Sequence, residues 1–226
     1  MPTVSAPPSF SSNGIRFSAV ATRKVYDLVA GVYPISTMLF HSVAHRAAMN
    51  HAGICNGMKV LEVATGSGEM LRRLVRVNPD GLTCGVDLSP NMAARTQKHA
   101  RRMISGSGAH CQAVDARRMP FRDGTFDAVV CCYLLELMAG EDIVRTLEEI
   151  RRVLRPGGKF SLVTIGQNVP AFNAVYRVAG SLVPAFWGRQ VSAVVAEAIQ
   201  SAEFTLVHDE HVQQGFYPSR VIVARR

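Results

Sequence analysis

The chain has 226 residues, 48% of them hydrophobic, and a formal net charge of +8. That much apolar chain can bury a core without disulfides, and no apolar run approaches the ~20 residues that a bilayer span requires. The start carries no basic-then-apolar leader pattern, so a cytoplasmic protein is expected, and the basic excess calls for either an anionic partner or a solvated basic surface.

Residues 1–14 are rich in Pro and Ser and are expected to be flexible. Residues 15–52 are predicted to form a helical cap: Val25, Leu28, Val32, Met38, Leu39, Val43 and Ala47 recur at helical spacing, interrupted at Gly31 and Pro34. Residues 53–226 read as one α/β domain. Its first strand, Val60-Leu61-Glu62-Val63, runs into Ala64-Thr65-Gly66-Ser67-Gly68, after which Met70, Leu71, Leu74 and Val75 return at helical spacing. A Gly-rich turn between strand and helix lets a ligand touch backbone, and the helix start offers free N–H groups, so a nucleotide-like ligand is expected. A dinucleotide loop would need a third glycine where Leu71 stands, and a phosphate-binding P-loop would need Lys after Gly68, where Glu69 stands.

A second buried strand over 82–87 ends in Asp87, about 20 residues beyond the loop, where a carboxylate can accept from both hydroxyls of a ribose. Leu88 follows; Ser89 is a good N-cap and Pro90 a good first residue for a helix through Asn91 and Met92. A third strand is predicted over 110–114, ending at Asp115-Ala116. Residues 128–133 form a continuous apolar run, typical of a strand buried on both faces, and end at Tyr133. A helix through Ile150 and Leu154 is expected to stop at Pro156, with Gly157 and Gly158 supplying a permissive turn into a fifth strand. Helical spacing returns over 172–183 and 191–199, on either side of Pro184-Ala185-Phe186-Trp187-Gly188, and 217–225 reads as the last strand.

Cys55, Cys84, Cys111, Cys131 and Cys132 form no Cys-x-x-Cys pair, and most fall in predicted strands, where they serve as small buried hydrophobes. His41, His45 and His51 share one segment without a carboxylate at ligand spacing, so no metal site is expected.

Over residues 55–165 these motifs stand in the order found in the class I S-adenosylmethionine (SAM) methyltransferases, which the chain resembles. The similarity rests on the loop from Glu62 to Gly68, with Ala64 where the family usually has glycine, and on Gly85-Val86-Asp87-Leu88-Ser89-Pro90-Asn91-Met92. It extends through Met119-Pro120-Phe121 to Phe126-Asp127 and through Leu154-Arg155-Pro156-Gly157-Gly158. The resemblance implies a Rossmann-like, doubly wound α/β fold, with seven mostly parallel strands in the order 3-2-1-4-5-7-6 and strand seven antiparallel. It implies SAM as cofactor and S-adenosylhomocysteine as product. By the same resemblance Glu62, Ala64, Thr65, Gly66 and Gly68 would shape the methionine side, and Asp87 would hold the ribose. Leu88 and Met92 would flank the adenine, Asp115 and Ala116 would read its edge, and Tyr133 would face the sulfonium or the acceptor.

Tyr26-Asp27 is similar to the N-terminal pair of the ubiquinone/menaquinone C-methyltransferase-like group and of soluble bacterial phosphatidylethanolamine N-methyltransferases, where this segment closes over the cofactor. A small, lipophilic acceptor follows from that resemblance, either a phospholipid amine or a quinol, with substrate-side helices near 170–200. Tyr26, Tyr133 and His41 are candidates for positioning or proton handling, and no pairing in sequence singles one out as catalytic. The basic charge, with Phe186 and Trp187 in an apolar segment, suits peripheral contact with an anionic membrane. A nucleic-acid acceptor is disfavoured: Tyr133-Leu134-Leu135-Glu136-Leu137 replaces the Asp/Asn-Pro-Pro-Tyr loop of amino-methylating nucleic-acid enzymes, and no Pro-Cys nucleophile is present. A SAM-binding module without turnover is the alternative, and Ala64 is its support. The sequence does not specify an oligomeric state.

Overall fold

The computed structural model describes residues 33–103, 108–182 and 190–226. Seven strands, β1 (Lys59–Val63), β2 (Leu82–Asp87), β3 (Gly108–Ala113), β4 (Phe126–Cys132), β5 (Leu154–Ile165), β6 (Thr205–Gln214) and β7 (Tyr217–Arg225), form one sheet in the order β3-β2-β1-β4-β5-β7-β6. The five strands from β3 to β5 are parallel, and β7 runs antiparallel to both β5 and β6. This is the predicted order. The helices are α1 (Tyr33–Ala52), α2 (Glu69–Val77), α3 (Pro90–Met103), α4 (Gly140–Val153), α5 (Pro170–Leu182) and α6 (Val195–Ser201), with a 3₁₀ turn at Leu135–Leu137.

Strand periodicity sorts the core into two layers. Leu61, Val129, Phe160 and Ile222 point to one face, where Ile143, Leu147 and Ile150 of α4 and Ile199 of α6 cover them. Their neighbours Val60, Val130 and Val221 point to the other face, against Ala44, Ala48 and Met49 of α1 and Met70 and Leu74 of α2. Each such side chain gives about 1.5–3 kcal/mol on burial, so the central strands need no polar outlet and read as continuous apolar runs. At the edge, β6 alternates exposed and half-buried residues along its whole length.

Several local expectations are corrected. The cap helix is not interrupted at Pro34: α1 begins at Tyr33, and a proline in the first turn lacks only an N–H that no helix bond needs. Gly31 lies outside the described residues. β3 covers Gly108–Ala113 rather than 110–114, although the Val114 N–H still donates to the Asp87 carbonyl at 2.8 Å. α4 ends before Pro156 is reached: Leu154, two residues ahead of the proline, is already extended (φ −72, ψ 140). Pro156, Gly157 and Gly158 then sit inside β5, where the pairing jumps from Phe126↔Leu154 to Ala128↔Lys159 and Gly157 takes φ +76. α6 starts at Val195, not at 191. Among the described residues no helix is long and apolar enough to cross a membrane.

Candidate functional site

The sheet reverses direction at β1, which has β2 on one side and β4 on the other. Crevices at such reversals, beyond the carboxyl ends of the strands, are where open α/β sheets bind ligands. Two adjoining cavities open here, sharing Ala64, Asp87, Leu88, Leu134 and Leu137. The first continues to Glu62, Gly66, Tyr133, His41 and His45; the second to Asp115, Ala116, Arg117 and Asp142.

The turn from β1 to α2 is held open by its backbone. Ala64 (φ 64), Gly66 (φ 48) and Gly68 (φ 77) all adopt the left-handed conformation. The Ala64 and Thr65 N–H groups both donate to the Val86 carbonyl, at 2.8 and 3.1 Å. A side chain on Gly68 would meet Thr96 Oγ1 at 2.8 Å, so glycine is required there for space as well as for φ. Thr65 lines the cavity with its hydroxyl turned to Cys111 Sγ, 3.6 Å away.

Asp87 ties this turn to the next helix. Its Oδ2 accepts the Gly66 N–H at 2.7 Å and its Oδ1 accepts the Ser89 N–H at 2.9 Å, while Ser89 Oγ caps α3 by accepting the Met92 N–H at 3.1 Å. The carboxylate is thus fixed at the mouth shared by both cavities, with lone pairs left for further donors. Glu62 lies deeper, 2% exposed, and its Oε2 has no hydrogen-bond partner. Burial, reinforced by the Asp87 charge, pushes its carboxyl well above the usual range. Glu69 also faces the cavity but is neutralised by Arg72 and, at 2.8 Å, by Arg73.

In the second cavity Asp115 is engaged by Arg117, Nη2 to Oδ2 at 2.6 Å, and Arg117 also reaches Asp142 Oδ1 at 3.0 Å. The Arg117 hydrogen bonds hold the Asp115 carboxyl below its usual range, so it is an ionised acceptor beside Ala116. Leu88, 38% exposed, stands at the junction. Met92 does not: it is 1% exposed and lines neither cavity, because it falls on the buried face of the helix that Ser89 caps. Tyr26, Phe186 and Trp187 lie outside the described residues.

The far wall of the first cavity was not foreseen as a unit. His41 and His45, one turn apart on α1, share a face. Tyr133, at the end of β4 in a left-handed conformation (φ 54), stacks its ring on His41 at 4.1 Å between centroids, and Tyr217 lies 5.0 Å from His41. The Tyr133 hydroxyl pairs with Ser219 Oγ at 2.8 Å. Burial lowers the pKa of His41 to about 4 and that of His45 to about 3, the latter helped by the charges of His41 and Arg73. Both imidazoles are therefore neutral, and both ring nitrogens of His45 are buried without a hydrogen-bond partner. The sequence singled out His41 and Tyr133 separately, and the i, i+4 spacing of His41 and His45 was the sign that the two imidazoles share a face.

The residues fit an adenosyl amino acid. An orphaned buried carboxyl oxygen on Glu62 awaits a donor, Gly66 has nothing within 4 Å of where a side chain would start, and anchored Asp87 faces the junction. Residues 60–158 match a family of methyltransferase domains. Residues 60–158 thus form a methyltransferase domain. Over 157 residues the chain is 34% identical to a ubiquinone/menaquinone biosynthesis C-methyltransferase of Desulfotalea psychrophila, covering 68% of this chain and 61% of that protein. A demethylmenaquinone methyltransferase of Staphylococcus aureus is 28% identical over 189 residues, which cover 82% of this chain and 76% of that one. The match takes in only about three fifths of several such C-methyltransferases, 62% of that of Idiomarina loihiensis for example. Among solved structures, a SAM-dependent methyltransferase of Aquifex aeolicus superposes with a TM-score of 0.64 at 18% identity, covering 93% of this chain and 99% of that one. Magnesium protoporphyrin IX methyltransferase of Synechocystis PCC 6803, solved with S-adenosylhomocysteine, gives 0.64 at 17%, covering 92% and 84%. These two likenesses speak to the fold alone.

Proposed function

We propose that this chain transfers the methyl group of SAM to a ring carbon of a lipophilic quinol. The observation that carries this reading is the wall of two neutral, buried imidazoles with Tyr133, facing the same cavity as the Gly-rich turn. SAM would supply an electrophilic methyl group with the thioether S-adenosylhomocysteine as leaving group, and the hydrogen of the methylated ring carbon would leave as a proton. Glu62, whose carboxyl burial pushes up, would ionise against a cation and hold the ammonium of the amino acid. Asp87 would accept from the ribose hydroxyls, Leu88 would pack on the adenine, and Asp115 with Ala116 would read its edge.

A ring carbon of a quinol becomes nucleophilic when the neighbouring hydroxyl gives up its proton. His41 and His45 are the groups of the described cavity able to take it, and an oxyanion forming beside them reverses the effect of burial on their basicity. Tyr133, locked by its bond to Ser219, would align the acceptor ring, and the apolar wall excludes water. The naming of relatives for quinone methylation supports the same acceptor. An amine acceptor would need no such base. Peripheral contact with anionic lipid, which would deliver such an acceptor, is supported by exposed Arg76, Lys98, Arg101 and Arg102 on α2 and α3.

The test is incubation with methyl-labelled SAM and, separately, reduced demethylmenaquinone or phosphatidylethanolamine vesicles. Label is expected in the quinol. Label in the phospholipid alone would transfer the reading to N-methylation, and label in neither would leave a binding module.

A further inference from the structure

Away from the cofactor crevice, the end of α1 meets the edge of the sheet. His51 stands in the last turn of α1, and His208 and Glu210, two residues apart, share one face of β6. One ligand atom from each of the three lies within 4.8 Å of the others. His51 Nε2 is 3.1 Å from Glu210 Oε1, and His208 Nε2 is 3.5 Å from the same oxygen. A tetrahedral zinc ion with bonds of about 2.0–2.1 Å sets its ligand atoms about 3.3 Å apart, so both separations are already those of a coordinated set. The imidazole rings are stacked, 3.6 Å between centroids and 14° between planes. For both Nε2 lone pairs to meet one ion, one of these near-parallel rings must turn about its side-chain torsions. His208 Nε2 is closed to solvent and makes no hydrogen bond. Lys159 Nζ, the cation near this corner, is spent on the His51 carbonyl at 3.3 Å rather than on the carboxylate.

We propose that His51, His208 and Glu210 form a binding site for a divalent transition metal ion of the zinc type, clamping edge strand β6 to the end of α1. Two imidazoles and one carboxylate suit zinc, whereas calcium and magnesium take oxygen ligands. The half-exposed His51 leaves room for water at the fourth position. Nearer the start of the helix, Gln214 Oε1 accepts from Ser42 Oγ at 3.2 Å and from the Val43 N–H at 2.8 Å. Metal and Gln214 would thus pin α1 to β6 at two points, and α1 is the helix that carries His41 and His45 into the cavity. The expectation of no metal site rested on spacing along the chain, and His208 and Glu210 come from a strand remote from His51.

The test uses untagged, chelator-stripped full-length protein titrated with zinc by calorimetry. One site with a micromolar or tighter Kd is expected, and a hundredfold excess over Kd should raise the melting temperature by roughly 5–10 °C. His208→Ala and Glu210→Gln should each weaken binding at least tenfold, while His211→Ala, exposed on the opposite face, should not. Absence of saturable binding below ~1 mM, or unchanged affinity in both variants, would overturn the proposal. Should neither variant fold, the visible spectrum of the cobalt-loaded parent decides: bands of a nitrogen and oxygen ligand set support the site, and a thiolate charge-transfer band places the metal on a cysteine and refutes it.

Discussion

Replacing Asp87 by Ala removes the one side chain that connects the Gly-rich turn, the start of α3 and the shared mouth of both cavities. Its two backbone hydrogen bonds, at 2.7 and 2.9 Å, are charge-assisted, and such bonds contribute about 1.5–3 kcal/mol each when buried. The carboxylate is half-buried, so screening lowers the sum, and a loss of roughly 2 kcal/mol of stability is expected. In a chain of 226 residues that corresponds to a fall in melting temperature of about 4–8 °C. Binding of S-adenosylhomocysteine loses a further charged acceptor at the ribose and should weaken at least ~10-fold, or about 1.4 kcal/mol. Asp87→Asn keeps an acceptor for one N–H but turns an amide toward the other, and should fall between Ala and the parent in stability. Calorimetric titration with S-adenosylhomocysteine, run beside thermal melts, separates the two roles. A lowered melting temperature with unchanged affinity would show that Asp87 supports the turn but does not touch the ligand.

His45→Phe should change the acid limb of stability. The folded imidazole has its pKa lowered from 6.5 to about 3, so its contribution is whole above about pH 6.5 and is lost as the pH falls toward 3. The variant should therefore lose about 1 kcal/mol less than the parent between pH 7 and 5.5 in urea unfolding, and parallel curves would contradict a buried neutral His45. Glu136 has the opposite sign: burial raises its pKa to about 7, so its cost is absent below about pH 4.5 and full above 7. Glu136→Gln, which can still accept the Ile165 N–H, should gain about 1–3 kcal/mol at pH 8 and nothing at pH 4.5; equal gains at both would refute it. Ala64→Gly, at φ 64, should raise stability by about 0.5–1 kcal/mol with cofactor affinity kept, as seen by melting and calorimetry. Vesicle co-sedimentation should show a preference for anionic over neutral lipid that fades with added salt; no preference would leave the basic face of α3 as solvated surface.

What could be read from the sequence was local. Each strand-turn-helix unit announced itself through a buried run, a turn chemistry and a helical repeat, and the order of those units carried the sheet topology. Asp87 and the Gly66-to-Gly68 turn stood out because each ends a strand in its own βα unit, although the bond between Asp87 and Gly66 joins two such units. Met92 was misplaced because neither its motif position nor the Ser89 cap says which face of the helix is buried, and Met92 falls on that face. Pro156 misled in a different way, since α4 already ends at Val153, and Pro156 and the glycines became part of a strand irregularity. The His41, His45 and Tyr133 wall and the His51, His208 and Glu210 cluster depend on how α1 lies across β4, β6 and β7, a tertiary placement that no spacing encodes. The charge state of Glu62 is likewise a product of burial between strands.

The most direct test of a quinol-methylating site is to follow labelled methyl transfer from SAM to a reduced demethylmenaquinone and to the same compound with both hydroxyls blocked as ethers. Transfer to a ring carbon of the free quinol, with the blocked compound inert and His41→Phe with His45→Phe strongly slowed, is the expected result. Equal transfer to both compounds, or full activity in the double variant, would contradict it.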